Sequence, residues 1–209
     1  MMRGALVLTA TTMLALPAFA AEKSYDLKGF EAVSVSAGIR AEVAVGGEGY
    51  SVKAVGDAED IERLNIRIEG EALDIGRKHG NFSWRRRGPL TVYVTLPKLK
   101  ALDVSSGANV EAKGVAGGPF AMDASSGGHL SVSGVCDALS VDVSSGGNIE
   151  ADDLKCKSAR ADASSGGSAD IFVSDSLIAD ASSGGNIDVL GSPENVDTDT
   201  SSGGNVDVD

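Results

Sequence analysis

Basic residues almost vanish from the second half of this 209-residue chain: residues 101–209 hold 4 Lys/Arg against 18 Asp/Glu, whereas residues 21–100 hold 13 against 12. A surface so poor in cations does not attract nucleic acid or anionic lipid, because both are held by positive side chains. After residue 20 no apolar run approaches the roughly 20 residues a bilayer span requires, so the mature chain is expected to lack a transmembrane segment. There are only two cysteines, Cys136 and Cys156, and neither follows the leader as a lipid acceptor would. Histidine is confined to His79 and His129. Nucleophilic catalysis needs a base within hydrogen-bond reach of a hydroxyl, and Asp123, Ser125 and His129 are the one set that formally supplies the parts.

The first 20 residues carry Arg3, an apolar run over 5–16, Pro17 and then Ala18-Phe19-Ala20, the small-x-small pattern of a signal peptidase site. The reading is a cleaved signal peptide over 1–20, with the mature protein starting at Ala21 and residing in the periplasm, or secreted to the medium or the cell surface. About 189 residues then remain, enough for one domain with a substantial core.

What is abundant is a repeat. Ser-Ser-Gly returns at Ser105, Ser125, Ser144, Ser164, Ser182 and Ser201, within a frame Asp-x-Ser-Ser-Gly-Gly-Asn-apolar-acid that is nearly intact from Asp142, Asp180 and Asp199. A period of about 19 residues is the mark of a solenoid. Two positions before each first Ser stands Asp103, Asp123, Asp142, Asp162, Asp180 or Asp199, flanked on both sides by mostly small apolar residues. Alternation of this kind turns the apolar members inward and the Asp and Ser outward. Five and seven residues after the Ser come further apolar positions (Val110 and Ala112; Ile149 and Ala151), a second strand with one apolar face. Short strands joined at glycine corners such as Gly146-Gly147, where positive φ is expected, describe an all-β, single-domain, right-handed parallel β-helix. About six regular coils occupy 97–209, after a more irregular β region over 21–96. No six-residue apolar period of the left-handed kind is visible.

In that first region, residues 30–45 read as strand, a turn at Ser36-Ala37-Gly38, and strand. Residues 58–64, with Asp57 as cap, form the only helical stretch. Leu90 to Leu96 is a further strand. Between strands lies a basic loop with the only tryptophan, Trp84, followed by Arg85, Arg86 and Arg87. It is either a solvated hairpin tip or a grip for an acidic glycan, a lipid head group or the acidic coils of another copy.

Stacked coils place like residues about 4.8 Å apart. Neighbouring carboxylates at that spacing repel by about 0.8 kcal/mol in water, so the Asp column, or the second acid column of Glu111, Glu150, Asp170, Asp188 and Asp207, is a candidate for calcium as well as for simple hydration. The column four after the Ser (Asn109, His129, Asn148, Ser168, Asn186, Asn205) reads as a polar ladder in which Asn tolerates left-handed backbone. His129 then belongs to the ladder rather than to a catalytic set. With only Lys113, Lys155, Lys157 and Arg160 on the coils, the clustered acids plus Arg or Lys of pectin-degrading β-helices are not assembled, and no enzyme is expected. Cys136 and Cys156 each lie eight residues before their Ser and stack in adjacent coils, as a disulfide or as two packed thiols.

Phe30-x-x-Val33-x-Val35-x-x-Gly38-Ile39, Gly56-Asp57, the hairpin through Leu73-Asp74-Ile75 and the Ser-Gly-rich coils together resemble the head GIN domain family of autotransporter-adhesin heads. Where that family has Gly-Ile-Asn, this chain has Gly38-Ile39-Arg40. The resemblance implies a right-handed β-helix and brings no catalytic residues. The expected role is a non-enzymatic binding or adhesion module for an envelope or surface ligand, glycan or protein. The alternatives are a structural protein that self-associates end to end through its last coil, or a calcium-binding surface repeat.

Overall fold

The computed structural model describes residues 20–78 and 88–209; the leader, His79 and the loop bearing Trp84, Arg85, Arg86 and Arg87 lie outside the described residues. The chain opens with β1 (Ala21–Tyr25), β2 (Ala32–Val35), β3 (Arg40–Val45) and β4 (Ser51–Gly56). A short helix α1 (Ala58–Glu62) follows, and the Asp57 side chain accepts from the Glu59 amide at 2.9 Å to cap it. Then come β5 (Leu64–Glu69), β6 (Ala72–Arg77), β7 (Leu90–Leu96), β8 (Ala101–Val104), β9 (Asn109–Ala116) and β10 (Pro119–Ala124). The remaining strands are β11 (His129–Val143), β12 (Asn148–Ala163), β13 (Ser168–Ala181), β14 (Asn186–Leu190), β15 (Asn195–Thr200) and β16 (Asn205–Val208).

These strands form two parallel stacks that share a core. One runs β6, β2, β8, β10, the second halves of β11, β12 and β13, and β15. The other runs β7, β3, β9, the first halves of β11, β12 and β13, then β14 and β16. The result is a single-domain β-solenoid of about five turns. Leu102, Met122, Val141, Ala161 and Ala179 stack in register inside, while the Asp one position on points out.

The first region is more regular than its sequence suggests. β2 and β3 form a complete level, sandwiched between β6 and β7 below and β8 and β9 above. After β1, the chain therefore lays down this level, descends to build the rest of the base, and climbs past it. At the base the parallel rule ends: β1, β4 and β7 are antiparallel, as are β5 and β6. Ile61 of α1 and Leu64 are buried there, so the base is closed over apolar side chains.

Every Ser-Ser-Gly corner is the same tight turn. The amide of the fourth residue donates to the first Ser carbonyl, from Gly147 to Ser144 at 2.8 Å and likewise at each repeat. Both central residues have positive φ, with the second Ser (106, 126, 145, 165, 183, 202) at 49–54° and the first Gly at 70–79°, the signature of a type I′ turn. Ser36-Ala37-Gly38-Ile39 repeats it between β2 and β3, one level above the base, with Ala37 at 61° and Gly38 at 68°. Successive corners are also bonded to each other, Gly38 N to Ser106 O at 3.0 Å and Gly107 N to Ser126 O at 3.1 Å.

Two expectations are corrected by this geometry. The glycine pair does not share one role: Gly146 has φ of 71°, but the other left-handed residue is Ser145, not Gly147. Gly147 is needed for space, because a Cβ there would sit 2.2 Å from the Ala124 carbonyl oxygen of the coil below. Nor is Asn left-handed; Asn109, Asn148, Asn186 and Asn205 are the first residues of extended strands, one step after the turn has closed.

Cys136 and Cys156 are joined by a disulfide between adjacent coils with Cα atoms 4.5 Å apart, and both are buried. The 20-residue separation corresponds to about 3 kcal/mol of denatured-state constraint in the chain-entropy account.

Candidate functional site

The outward columns are the surface this fold offers to a partner. The Asp column is longer than the repeats: below Asp103 it continues through Ser34 to Asp74, and Ser34 Oγ donates to Asp103 Oδ1 at 3.1 Å. The sequence signal for this extension was available, since Ser34 stands two before Ser36, the first residue of the corner between β2 and β3. The second acid column likewise continues down through Glu42 to Tyr93, and Ser131 interrupts it between Glu111 and Glu150.

Cations decorate these columns unevenly. Arg160 reaches both Asp162, at 3.2 Å from Nε, and Asp180, at 3.0 Å from Nη2. Arg40 lies 3.6 Å from both Glu42 and Glu111, and Lys113 is 2.6 Å from Glu111. Near the top, among the described residues, no Lys or Arg pairs with Asp188, Asp199 or Asp207; Asp188 accepts from the Asn186 amide group at 2.8 Å.

The Asn column is bonded in parts. Asn205 Nδ2 donates to Asn186 Oδ1 at 3.0 Å, and Asn148 Nδ2 meets His129 Nδ1 at 3.1 Å, but Ser168 separates these two pieces. His129 also lies 3.8 Å from Glu150. Its neighbours are therefore in its own and the adjacent outward column, and among the described residues no hydrogen bond joins it to Ser125.

Asp142, Asp162, Asp180 and Asp199, together with Ser164, Ser182 and Ser201, line an open groove of about 200 Å³ along the corner edge. Among the described residues no three His, Cys, Asp or Glu side chains converge as metal ligands would. A column spreads its carboxylates along the axis, whereas a cation site needs several oxygens on one point.

Stacking does change how these acids titrate. Partial burial, and then the charges of Asp103 and Asp142, push the Asp123 carboxyl above its ordinary range. Burial also raises Asp162 against the opposing pull of Arg160, and raises Asp170, with Asp188 adding to the effect. Conversely Lys100, Lys113 and Lys157 hold Glu31, Glu111 and Asp137 below theirs.

A carboxyl raised on folding binds its proton in the native state before the unfolded chain does, so its unfavourable contribution at neutral pH is relieved as pH falls through the native value. The lysine-paired carboxylates act oppositely, stabilising above the unfolded value and losing that contribution as pH falls through the native one. Asp123→Asn is expected to raise the melting temperature at pH 7, with the gain shrinking to nothing by about pH 3, below the ordinary carboxylate range. Thermal melts of both proteins across pH 3–7 check this; an equal offset at every pH would refute it.

The family described as "Putative auto-transporter adhesin, head GIN domain" matches residues 29–193. The chain belongs to the head GIN domain family. Its Gly38-Ile39-Arg40 occupies the corner glycine, the buried residue after it and the foot of the Asn column, so Gly146-Gly147-Asn148 is the same three-residue unit one repeat type on. Arg40 stands there and lies between two acids of the neighbouring column.

Solved structures share the fold at low identity. A "putative adhesin" from Bacteroides fragilis is 13% identical, covers 91% of this chain and 97% of its own, and superposes with a TM-score of 0.72. A "putative lipid binding protein" from Parabacteroides distasonis is 16% identical over 92% and 98% of the two chains, with a TM-score of 0.52. No curated protein matches the sequence. Among the described residues no helix is long and apolar enough to cross a membrane.

Proposed function

We propose that this head GIN domain is a non-enzymatic binding or adhesion module of the cell envelope, working in the periplasm or on the cell surface. The observation that carries the reading is the outward Asp column. It presents carboxylates at every level from Asp103 to Asp199 in strict register, on strands locked by the corners. A rigid linear array of anions and hydroxyls suits multivalent contact with a partner that is itself extended and bears cationic or hydrogen-bond-donating groups, because each weak contact is made without further ordering cost. The basic loop at Trp84 to Arg87, outside the described residues, is a second proposed contact for a glycan or acidic partner.

The test is retention of envelope fractions on immobilised protein. The triple variant Asp142→Asn, Asp162→Asn, Asp180→Asn is expected to retain at least about tenfold less of the ligand captured by the wild type, as follows for a multivalent contact. Equal retention, or none by the wild type, would remove the Asp column from the function. A second reading, self-association through the last coil, is favoured by the outer edges of β15 and β16, which pair with no further strand among the described residues.

A further inference from the structure

Cys136 and Cys156 are the only cysteines of the chain, and the fold shuts both away. Cys136 is 4% exposed and Cys156 2%. Beneath them the Gly117 amide donates to the Val135 carbonyl at 2.8 Å and the Asp137 amide to the Gly118 carbonyl at 2.9 Å, so the coil below is bonded on either side of Cys136. Above, Cys156 stands in register with Val173 of β13, which is fully buried. At the side, Lys157 Nζ lies 2.8 Å from Asp137 Oδ1, and Ser158 Oγ donates to the Asp137 carbonyl at 3.2 Å.

A protein disulfide is made by exchange, in which a thiolate attacks an external disulfide and passes through a mixed disulfide, so the sulfur must be reachable by the oxidant. Neither sulfur is reachable once β13 lies on β12. In the open chain the obstacle is gone, and the thiols are 20 residues apart, a span that a flexible chain closes in well under roughly a microsecond.

We propose that the Cys136–Cys156 bond is made before β13 seats on β12, by a thiol–disulfide oxidoreductase or a small disulfide acting on the still open chain, and that the folded domain is closed to exchange in either direction. One cysteine thiolate attacks the disulfide of the oxidant, forming a mixed disulfide and releasing the first oxidant thiolate. The second cysteine thiolate attacks the cysteine sulfur of that mixed disulfide, closing the Cys136–Cys156 bond and releasing the second. The two electrons and two protons given up by the cysteines leave with the oxidant as its dithiol. No third cysteine competes, so no mispaired bond within the chain has to be undone.

The early bond also sets a height. Cys136 and Cys156 are register partners, and the pairing around them is irregular: β11 and β12 shift between Ser131 and Gly134, and β12 shifts against β13 on both sides of Lys155-Cys156. A bond made first therefore fixes β12 on β11 where alternation and spacing leave the alignment least determined. Maturation in an oxidising compartment agrees with the envelope location proposed above, and the order of events does not depend on what the Asp column binds.

Counting free thiols over time in the purified protein tests it. In dithiothreitol without denaturant the disulfide is expected to be reduced at least about a hundredfold more slowly than in denaturant, because exchange must wait for the coils to open. Protein reduced in denaturant is then diluted into folding buffer, with oxidised glutathione present from the start or added after circular dichroism has reached its plateau. Late addition to a refolded chain is expected to give oxidation at least about tenfold slower than early addition, since the thiols are by then enclosed. A reduced chain that stays unfolded until glutathione arrives supports the same order, because the bond then precedes the seating of β13. A refolded, reduced domain that oxidises as fast as the open chain, or a native disulfide reduced as fast as the denatured one, would overturn the proposal and leave the Asp-column reading untouched.

Discussion

Gly147→Ala is expected to cost about 3 kcal/mol, the upper part of the range for forcing a methyl into packed structure. For a domain of this size that is a fall in melting temperature of roughly 6–12 °C. The added Cβ would lie 2.2 Å from the Ala124 oxygen, 2.6 Å from its carbon and 3.0 Å from the Ser125 amide nitrogen, all backbone atoms of the coil below. They cannot swing away as a flexible side chain would, so the levels themselves must part. Gly146→Ala is the informative companion. That residue has positive φ, but a methyl carbon added there would meet nothing within 4 Å, so its cost is only the left-handed penalty of about 1 kcal/mol. Melting both variants checks the assignment. If Gly146→Ala proves the more damaging, the second glycine is not there for space.

Phe30→Ala is expected to destabilise by about 3–5 kcal/mol, the usual range for emptying a buried aromatic site. Phe30 is fully buried beside Tyr50, ring centroids 5.0 Å apart. It stands just before β2, where Glu31 is held on one side by its amide to Glu71 O and on the other by its carbonyl to Lys100 N. The ring thus anchors the level from which both the base and the climbing coils are built. Val135→Ala is the contrast: Val135 is 52% exposed, and the change should stay within about 0.5 kcal/mol. Chemical denaturation with the slope compared between variants checks both. A loss below about 1 kcal/mol for Phe30→Ala, short of the usual range, would mean that the base tolerates the void and does not anchor the stack.

The parts legible in the sequence were those that repeat. An Asp two residues before each Ser-Ser-Gly, with apolar neighbours, fixes which side chains point out because strands alternate regardless of what lies above or below. The cysteine stacking was legible for the same reason, since equal offsets from the Ser imply equal heights. The base was harder to read. Ser34, Asp74 and Glu42 belong to the outward columns, but the chain reaches their levels out of order, inserting β2 and β3 between strands that come later. Only long-range pairing reveals that, and no local pattern encodes it. The role of each corner residue was also hidden, because Ser145 adopts the left-handed conformation expected of Gly147, and Gly147 is selected by a carbonyl 23 residues earlier in sequence, at Ala124.

The period, the inward and outward faces and the acidic character of the exposed columns are thus written in the chain alone, because they depend on alternation and spacing within a single coil. Folding in three dimensions set the order of the levels, the closure of one end and the openness of the other, and which carboxyls are raised and which are held down. Those properties depend on what lies across the roughly 4.8 Å gap between coils, and that neighbour is about 19 residues away in the chain or, at the base, much further.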